Sequence, residues 1–378
     1  MKPRRYAVVA GGGTGGHVFE ALAVARALCA AGHEPAEIEI MGSRRGQEAA
    51  LLASAGFPLT LLPGRGIVRR MGPRDLLANA GAVAGTAWAT VRAWVSMAHR
   101  RPRVVVSVGG YASFPAAAAA VGWRVPLVLV NIDAVPGLVH RVLGRFAAAS
   151  AVAFPNTPLP RSVVTGTPVR DEVAAVRRSP DAARRARSML DIPQDRMTVA
   201  VFGGSLGART INEAVATLAR RWSSRRDRTV YHVTGRRGWE QGRQDGDAPT
   251  GSPADQLCYR AVPFEDRMEL LYQAADVMVC RAGAVTVAEL AVVGIPAVLV
   301  PLPGAPSDHQ TANAGLLASA GAAVLLPDAE CVGSRLESVL DELLGDRGRL
   351  EAMGTEARRL GRPDAAARVA EVVVRHAG

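Results

Sequence analysis

Tyr6-Ala-Val-Val-Ala10, followed by Gly11-Gly-Gly-Thr-Gly-Gly-His17, decides how the rest of this chain is read. The apolar run reads as a buried strand. The glycines form a tight turn in which the backbone can approach an anion closely, and residues 18–28 read as the helix that follows. A helix N-terminus offers unpaired N–H groups and the positive end of the helix dipole. The unit is therefore suited to a phosphorylated or diphosphate-bearing ligand, with His17 at the exit of the loop. Gly11, Gly13 and Gly16 also satisfy the dinucleotide pattern G-x-G-x-x-G, with Glu37 or Glu39 about 20 residues on as the ribose-binding acid. A nicotinamide-dependent oxidoreductase is thus the competing reading of this segment.

The same grammar recurs along the chain. Strand-like runs at 37–41, 104–108, 126–130, 149–154, 162–165, 198–202, 276–280, 297–301 and 322–326 alternate with helical stretches. That alternation predicts an α/β protein with parallel sheets covered on both faces. The charged stretch 177–187 and a restart of the pattern at residue 198 predict two Rossmann-like domains, 1–165 and 166–361. A last helix, 362–378, is expected to pack back on the first domain. Glycine loops at 11–17, 109–113, 203–207 and 281–285 each follow a strand, which places them where open α/β sheets bind ligands. Four such loops in two halves predict a two-substrate cleft, more than one dinucleotide fingerprint requires.

Composition narrows the classes. The 378 residues are 49% apolar and only 4% aromatic, so the cores are built from Ala, Val and Leu. Four scattered cysteines without a C-x-x-C pair read as free thiols, neither disulfides nor metal ligands. The start Met-Lys-Pro-Arg-Arg leads directly into a strand, so no signal peptide is expected. Residues 1–170 carry 19 Lys/Arg against 7 Asp/Glu, and residues 171–378 carry 26 against 27, so the formal net charge of +11 belongs to the first half. Such asymmetry suits a polyanionic partner, nucleic acid or an anionic membrane. Residues 76–91 contain no charge and are flanked by Arg65, Arg69, Arg70, Arg74, Arg92, Arg100, Arg101 and Arg103. This stretch is too short to span a bilayer; it reads either as a buried helix or as one whose Leu76, Leu77, Trp88 and Trp94 dip into a membrane interface.

In the second half, Cys280-Arg-Ala-Gly-Ala-Val-Thr-Val-Ala-Glu289 ends a strand, turns at Gly283 and opens a helix. The N–H groups of Ala284, Val285 and Thr286 face an anion there, and Glu289, one turn in, suits the two hydroxyls of a ribose. The proline-rich loop that follows presents Asp308, His309, Gln310 and Asn313, which suit sugar hydroxyls. Asp245-Gly-Asp247 has the D-x-D form of a metal site but lies in a flexible polar loop, and metal carboxylates need rigid support.

With these residues in place, the chain resembles the GT-B glycosyltransferases and, within them, the MurG family of peptidoglycan N-acetylglucosaminyltransferases. The family's Gly-Gly-Thr-Gly-Gly-His-Val-Phe loop is residues 12–19, its Gly-Gly-Tyr loop is Gly109-Gly110-Tyr111, and its Gly-x-Pro-Val-Arg element is residues 166–170. Its Gly-Gly-Ser-x-Gly-Ala-Arg element is residues 203–209, its Cys-Arg-x-Gly-Ala-x-Thr-x-x-Glu element is residues 280–289, and its sugar loop carries Gln310 and Asn313. The resemblance implies inverting transfer of N-acetylglucosamine from UDP-GlcNAc to lipid I, giving lipid II, with no cofactor and no metal. It implies a peripheral location on the cytoplasmic face of the membrane, with an anionic membrane surface as partner and no nucleic acid.

The resemblance further implies roles by position. His17 is the general base, a fitting choice because an unperturbed imidazole titrates near pH 6.5. Thr14, Gly15, Gly16, Arg170, Ser205, Ala284, Val285 and Thr286 serve the donor. Main chain near Phe264 and Glu265 reads uracil, Glu289 the ribose, and Gln310 and Asn313 the sugar. Gly109, Gly110, Tyr111 and Asp133 line the acceptor side. The family pattern departs at Glu20, where proline is usual, and at Val130-Asn-Ile-Asp133, where His-Glu-Gln-Asn is usual; Asp133 would bring a negative charge there. These departures fall in the acceptor half, and the alternative they leave open is a GT-B transferase with a similar donor and a different acceptor.

Overall fold

Both glycine-loop halves build parallel sheets, and each sheet gathers the carboxyl ends of its strands along one edge. The structure, a computed structural model, describes residues 5–12, 15–44, 55–63, 73–244 and 256–378. It divides into two compact units, Met1–Val169 with Pro363–Gly378, and Arg170–Arg362. Residues 166–169, assigned to the second half from sequence, group with the first: the N–H groups of Thr165 and Gly166 both bond to the Val152 carbonyl at the end of a first-unit strand.

The first unit contains β1 (Ala7–Gly11), β2 (Ile38–Ser43), β3 (Leu59–Leu62), β4 (Val104–Gly109), β5 (Leu127–Asn131), β6 (Ala149–Val152) and β7 (Ser162–Val164). They form one sheet in the order β3-β2-β1-β4-β5-β6-β7, and every pairing is parallel. Its described helices before residue 150 are, in chain order, α1 (Gly15–Ala30), α2 (Pro73–His99), α3 (Phe114–Gly122) and α4 (Leu138–Leu143). Strand alternation divides the core in two. Val9, Val106, Val108, Val128 and Val130 pack against Val18, Ala21, Val24 and Leu28 of α1, together with Val369 and Val373 near the C-terminus. Val8, Ala10, Val105, Leu127 and Leu129 pack against α2, α3 and α4 through Ala89, Ala93, Ala116, Ala120 and Leu143. Continuous apolar runs such as Val104-Val-Val are what a strand buried on both faces needs.

The second unit contains β8 (Met197–Phe202), β9 (Arg228–Val233), β10 (Cys258–Val262), β11 (Val277–Cys280), β12 (Ala297–Leu299) and β13 (Ala323–Leu325), paired in the order β10-β9-β8-β11-β12-β13. These pairings too are all parallel. Its principal helices are α5 (Pro180–Met189), α6 (Arg209–Arg221), α7 (Met268–Ala274), α8 (Ala284–Val293), α9 (His309–Ser319), α10 (Gly333–Gly345) and α11 (Arg347–Leu360). The final helix, α12 (Ala365–His376), belongs to the first unit, where Val369, Ala370, Val372 and Val373 complete the core on the α1 side. In each sheet the strand order reverses beside the first strand of the unit, between β1 and β4 and between β8 and β11. Such switch points open a crevice at the carboxyl edge.

Candidate functional site

In the first unit, β1 and β4 leave their shared edge side by side. Their register shifts between Ala10 and Gly11, which pairs with Gly109. Gly109 and Gly110 hold φ of +96° and +73°, a region that side chains disfavour. A methyl group on Gly110 would collide with the Gly12 carbonyl oxygen, and one on Gly109 would lie 3.0 Å from His17 Nε2 and 3.5 Å from His140 Cε1. The structure thus brings His17, half-buried at the start of α1, against the Gly109-Gly110 turn. Tyr111 donates its hydroxyl to Ser43 Oγ at 3.1 Å, tying the same turn to the end of β2. Gly15 and Gly16 open α1, and Thr14 lies outside the described residues.

Behind His17 runs a buried polar chain. His140 lies 3.1 Å from Ser107 Oγ through Nε2 and 3.2 Å from Asn131 Oδ1 through Nδ1. Asn131 donates Nδ2–H to the Asp133 carbonyl at 2.7 Å. That leaves Oδ1 to accept from the ring, which assigns the proton to Nδ1 and lets Nε2 accept from Ser107. Burial pushes the His140 imidazole down to about 4, and neighbouring His17 adds to the shift. A neutral His140 therefore fixes the end of β5 and the backbone of Asp133. The sequence gives no sign of this chain, because its members lie on three elements.

Glu20, one turn beyond His17 on α1, is 1% exposed, and neither of its carboxyl oxygens has a hydrogen-bond partner. Burial, and then Asp133, push its carboxyl well above the usual carboxylate range. An ionised carboxylate without partners is too costly to bury, so Glu20 is a neutral acid. The residue that departs from the family pattern thus adds no charge. Glu39, the alternative ribose acid, is also unavailable. It sits in mid-strand opposite Val8, ion-paired with Arg5 at 2.5 Å and bonded by Thr60 at 2.6 Å. Glu37 lies at the amino-terminal approach to β2, where it bonds the Glu34 N–H. The dinucleotide reading therefore loses its acid, since the ribose would lie at the carboxyl edge.

In the second unit, Gly283 caps α8 with extended backbone, and the first helical bond runs from Val287 N–H to Gly283 O. The N–H groups of Ala284, Val285 and Thr286 have no partner within the helix, as an anion site requires. Glu289 is 5% exposed, yet both its oxygens are engaged: Arg170 Nε donates to Oε1 at 3.1 Å and the Tyr272 hydroxyl to Oε2 at 2.8 Å. The arginine and the carboxylate expected to serve diphosphate and ribose thus meet before any ligand arrives. Ser205 is exposed in the loop between β8 and α6. The Glu265 side chain is committed elsewhere: Tyr231 donates to it at 2.6 Å, and Arg267 N–H and Nε at 3.0 and 3.2 Å. It fixes the turn entering α7, which leaves main chain for recognition there.

The sugar loop holds Ser307 and Asp308 at φ of 54° and 49°, a strained pair for residues with side chains. Gln310 accepts the Leu302 N–H through Oε1 at 2.9 Å, which leaves its Nε2 end for the sugar hydroxyl expected of it. Asn313, expected among the sugar contacts, is fully buried and donates to the Ala282 carbonyl at 3.3 Å. It braces the turn behind the α8 amides. Arg281, to which the sequence reading gives no role, donates to the Val300 and Pro301 carbonyls at 3.1 Å each and pairs with Asp328, holding the end of β12 where the sugar loop begins. Asp245 and Asp247 lie outside the described residues; among those described, no cluster of His, Cys, Asp or Glu could hold a metal ion.

Glu20 yields a direct test. An acid whose folded pKa is raised stabilises the fold at low pH, and that contribution is lost as pH rises from the unfolded value, near 4.5, toward the folded one. Glu20→Gln mimics the neutral acid at every pH. Its stability relative to the parent, measured by urea unfolding, will grow above pH 4.5 by up to about 1.4 kcal/mol per pH unit. A difference that stays flat with pH would show that Glu20 is ionised in the fold.

Comparison with known proteins agrees with this geometry. Residues 7–152 match the glycosyltransferase family 28 N-terminal domain and residues 198–369 the family 28 C-terminal domain. A UDP-N-acetylglucosamine–N-acetylmuramyl-(pentapeptide) pyrophosphoryl-undecaprenol N-acetylglucosamine transferase from Alkalilimnicola ehrlichii is 41% identical over 371 residues, covering 98% of both chains. A transferase of the same name from a Nocardioides species is 40% identical, covering 97% of both. The crystal structure of Acinetobacter baumannii MurG superposes with a TM-score of 0.77 at 30% identity, over 99% of this chain and 100% of that one. The kitacinnamycin glycotransferase, at 17% identity and a TM-score of 0.68, shares the fold. The chain belongs to glycosyltransferase family 28, with the GT-B fold, and within it to the MurG family of N-acetylglucosamine transferases.

Proposed function

We propose that the chain transfers N-acetylglucosamine from UDP-GlcNAc to the muramyl 4-hydroxyl of lipid I, a polyprenyl-diphosphate-linked muramyl peptide, giving lipid II for peptidoglycan synthesis. The observation that carries this reading is the Glu289 assembly, a buried carboxylate beside Arg170 and one turn from the open amides of α8. It offers a ribose acceptor and a diphosphate site together. Donor contacts fall to Thr14, Gly15, Gly16, Arg170, Ser205, Ala284, Val285, Thr286, Glu289 and Gln310, with main chain at 264–265 for uracil. The acceptor falls to the loops of Gly109, Gly110, Tyr111 and Asp133.

His17 takes the proton of the acceptor hydroxyl as that oxygen attacks the anomeric carbon. The new glycosidic bond forms on the face opposite UDP, the bond to UDP breaks, and UDP leaves with the electron pair. The configuration inverts. The charge that develops on the diphosphate is met by the α8 amides, fixed by the helix before the reaction begins, and by the Arg170 guanidinium.

The test follows transfer of radiolabelled N-acetylglucosamine from UDP-GlcNAc to a lipid I analogue. The parent chain will form the lipid II product, and His17→Ala will lower kcat by about 10²- to 10⁴-fold while UDP affinity stays within about twofold. Tight UDP binding without transfer by the parent would overturn lipid I as the acceptor. It would favour a different acceptor, matched to the Glu20 and Asn131–Asp133 surroundings.

Peripheral attachment to the cytoplasmic face of the cell membrane completes the proposal. No helix among the described residues is long and apolar enough to cross a membrane. Yet α2 exposes Val83, Trp88, Val91 and Val95 with Arg92 beside them, and α4 with the 3-10 turn after it (Gly144–Phe146) exposes Leu138, Val142 and Phe146 with Arg141 and Arg145. Both helices cover the same sheet face. Apolar side chains interleaved with arginine suit an anionic headgroup layer. Arg65, Arg69 and Arg70 lie outside the described residues. Trp88→Ser combined with Val91→Ser will weaken binding to vesicles containing anionic lipid severalfold and leave UDP affinity unchanged. Unaltered vesicle binding would remove α2 from the interface.

A further inference from the structure

Tyr272 has no place in the sequence reading and touches no exposed surface. It lies on α7, is 0% exposed, and meets the Phe202 ring edge-on at a centroid distance of 6.5 Å. Its hydroxyl donates to Glu289 Oε2 at 2.8 Å. We propose that Tyr272 is a positioning residue for nucleoside recognition: its hydroxyl fixes the Glu289 carboxylate so that the lone pairs left on the two oxygens accept a ribose diol. This rests on the reading of Glu289 as the ribose acceptor.

The argument is one of capacity and of burial. An ionised carboxylate has about four lone-pair sites. Tyr272 uses one on Oε2 and Arg170 one on Oε1, so each oxygen keeps one for a hydroxyl. The two holders differ in freedom. The Arg170 side chain is 37% exposed and is the proposed diphosphate contact, so it can exchange Glu289 for ligand. Tyr272 is enclosed and has no such alternative. Burial, and then Glu289, raise its phenol well above the usual range, so the hydroxyl keeps its proton and remains a donor. The carboxylate therefore keeps its orientation when Arg170 turns away, as a pre-organised recognition group must.

The experiment compares UDP with 2′-deoxy-UDP by calorimetry on the full-length parent and on Tyr272→Phe, which keeps the ring packed on Phe202. The parent will prefer UDP by roughly tenfold, the discrimination expected of a hydroxyl paired with a charged acceptor. Tyr272→Phe will lose about tenfold in UDP affinity and less than about threefold in 2′-deoxy-UDP affinity, so the preference collapses. Equal weakening of both nucleotides, or an intact preference, would overturn the positioning role. A parent that fails to discriminate would instead overturn Glu289 as the ribose acceptor. Glu289→Gln provides the second variant. Its preference will collapse in the same way, and adding Tyr272→Phe to it will cost little more, as coupled partners require. Additive losses in the double variant would show that the two side chains act independently and would also overturn the proposal.

Discussion

Backbone meets backbone at the carboxyl edge of both sheets, and the site depends on that approach. Gly110 sits against the Gly12 carbonyl, and Gly207 and Gly235 sit against each other, so closely that a methyl group at any of the three would collide with main-chain atoms. Parallel strands deliver all their carboxyl ends to one edge, and ligand loops can be short there only if their backbones nest. The nesting sets His17 on the Gly109-Gly110 turn, and in the second unit it closes the 203–207 loop onto the end of β9. Substituting a larger residue at these glycines would move the turns that present the reacting and binding groups.

Three of the four buried carboxyl groups among the described residues divide the labour by how they are satisfied. Glu39 is neutralised by Arg5 and bonded by Thr60, which makes it part of the scaffold. Glu20 has no partner and is neutral. Glu289 is paired with Arg170 and bonded by Tyr272, one contact on each oxygen. The same functional group is thus a strut, a silent acid or, as proposed for Glu289, a recognition element, according to the donors around it. In the first unit, the Ser107–His140–Asn131 chain holds the backbone of Asp133 in the same way.

Much of this was legible in the residues. The apolar runs at 104–108 and 198–202 and the glycine loops after them fix two parallel sheets, because only a strand buried on both faces carries so continuous an apolar run. The turn at Gly283 that opens α8, and the place of Glu289 one turn into that helix, follow from helix geometry alone. Three strands escaped. Leu59–Leu62 is a four-residue edge strand, while Arg228–Val233 and Cys258–Val262 interleave polar residues such as His232 and Arg260 among the apolar ones. The roles of Tyr272, Arg281 and His140 were out of reach because each depends on a partner from another element. Asn313 differs from its expected place at the surface of the loop. Its residue type suits a sugar, but the pitch of α9 turns it inward to the Ala282 carbonyl.

The central claim is that the nucleotide sugar is held at the carboxyl edge of the second unit's sheet. Amide hydrogen exchange with and without UDP-GlcNAc tests it most directly. The account predicts protection concentrated in peptides covering 203–209, 264–267, 281–290 and 302–313, with no more than the 11–17 loop added from residues 6–44. Protection centred on residues 6–44, with 281–290 unaffected, would place the nucleotide on the first glycine loop and contradict the account.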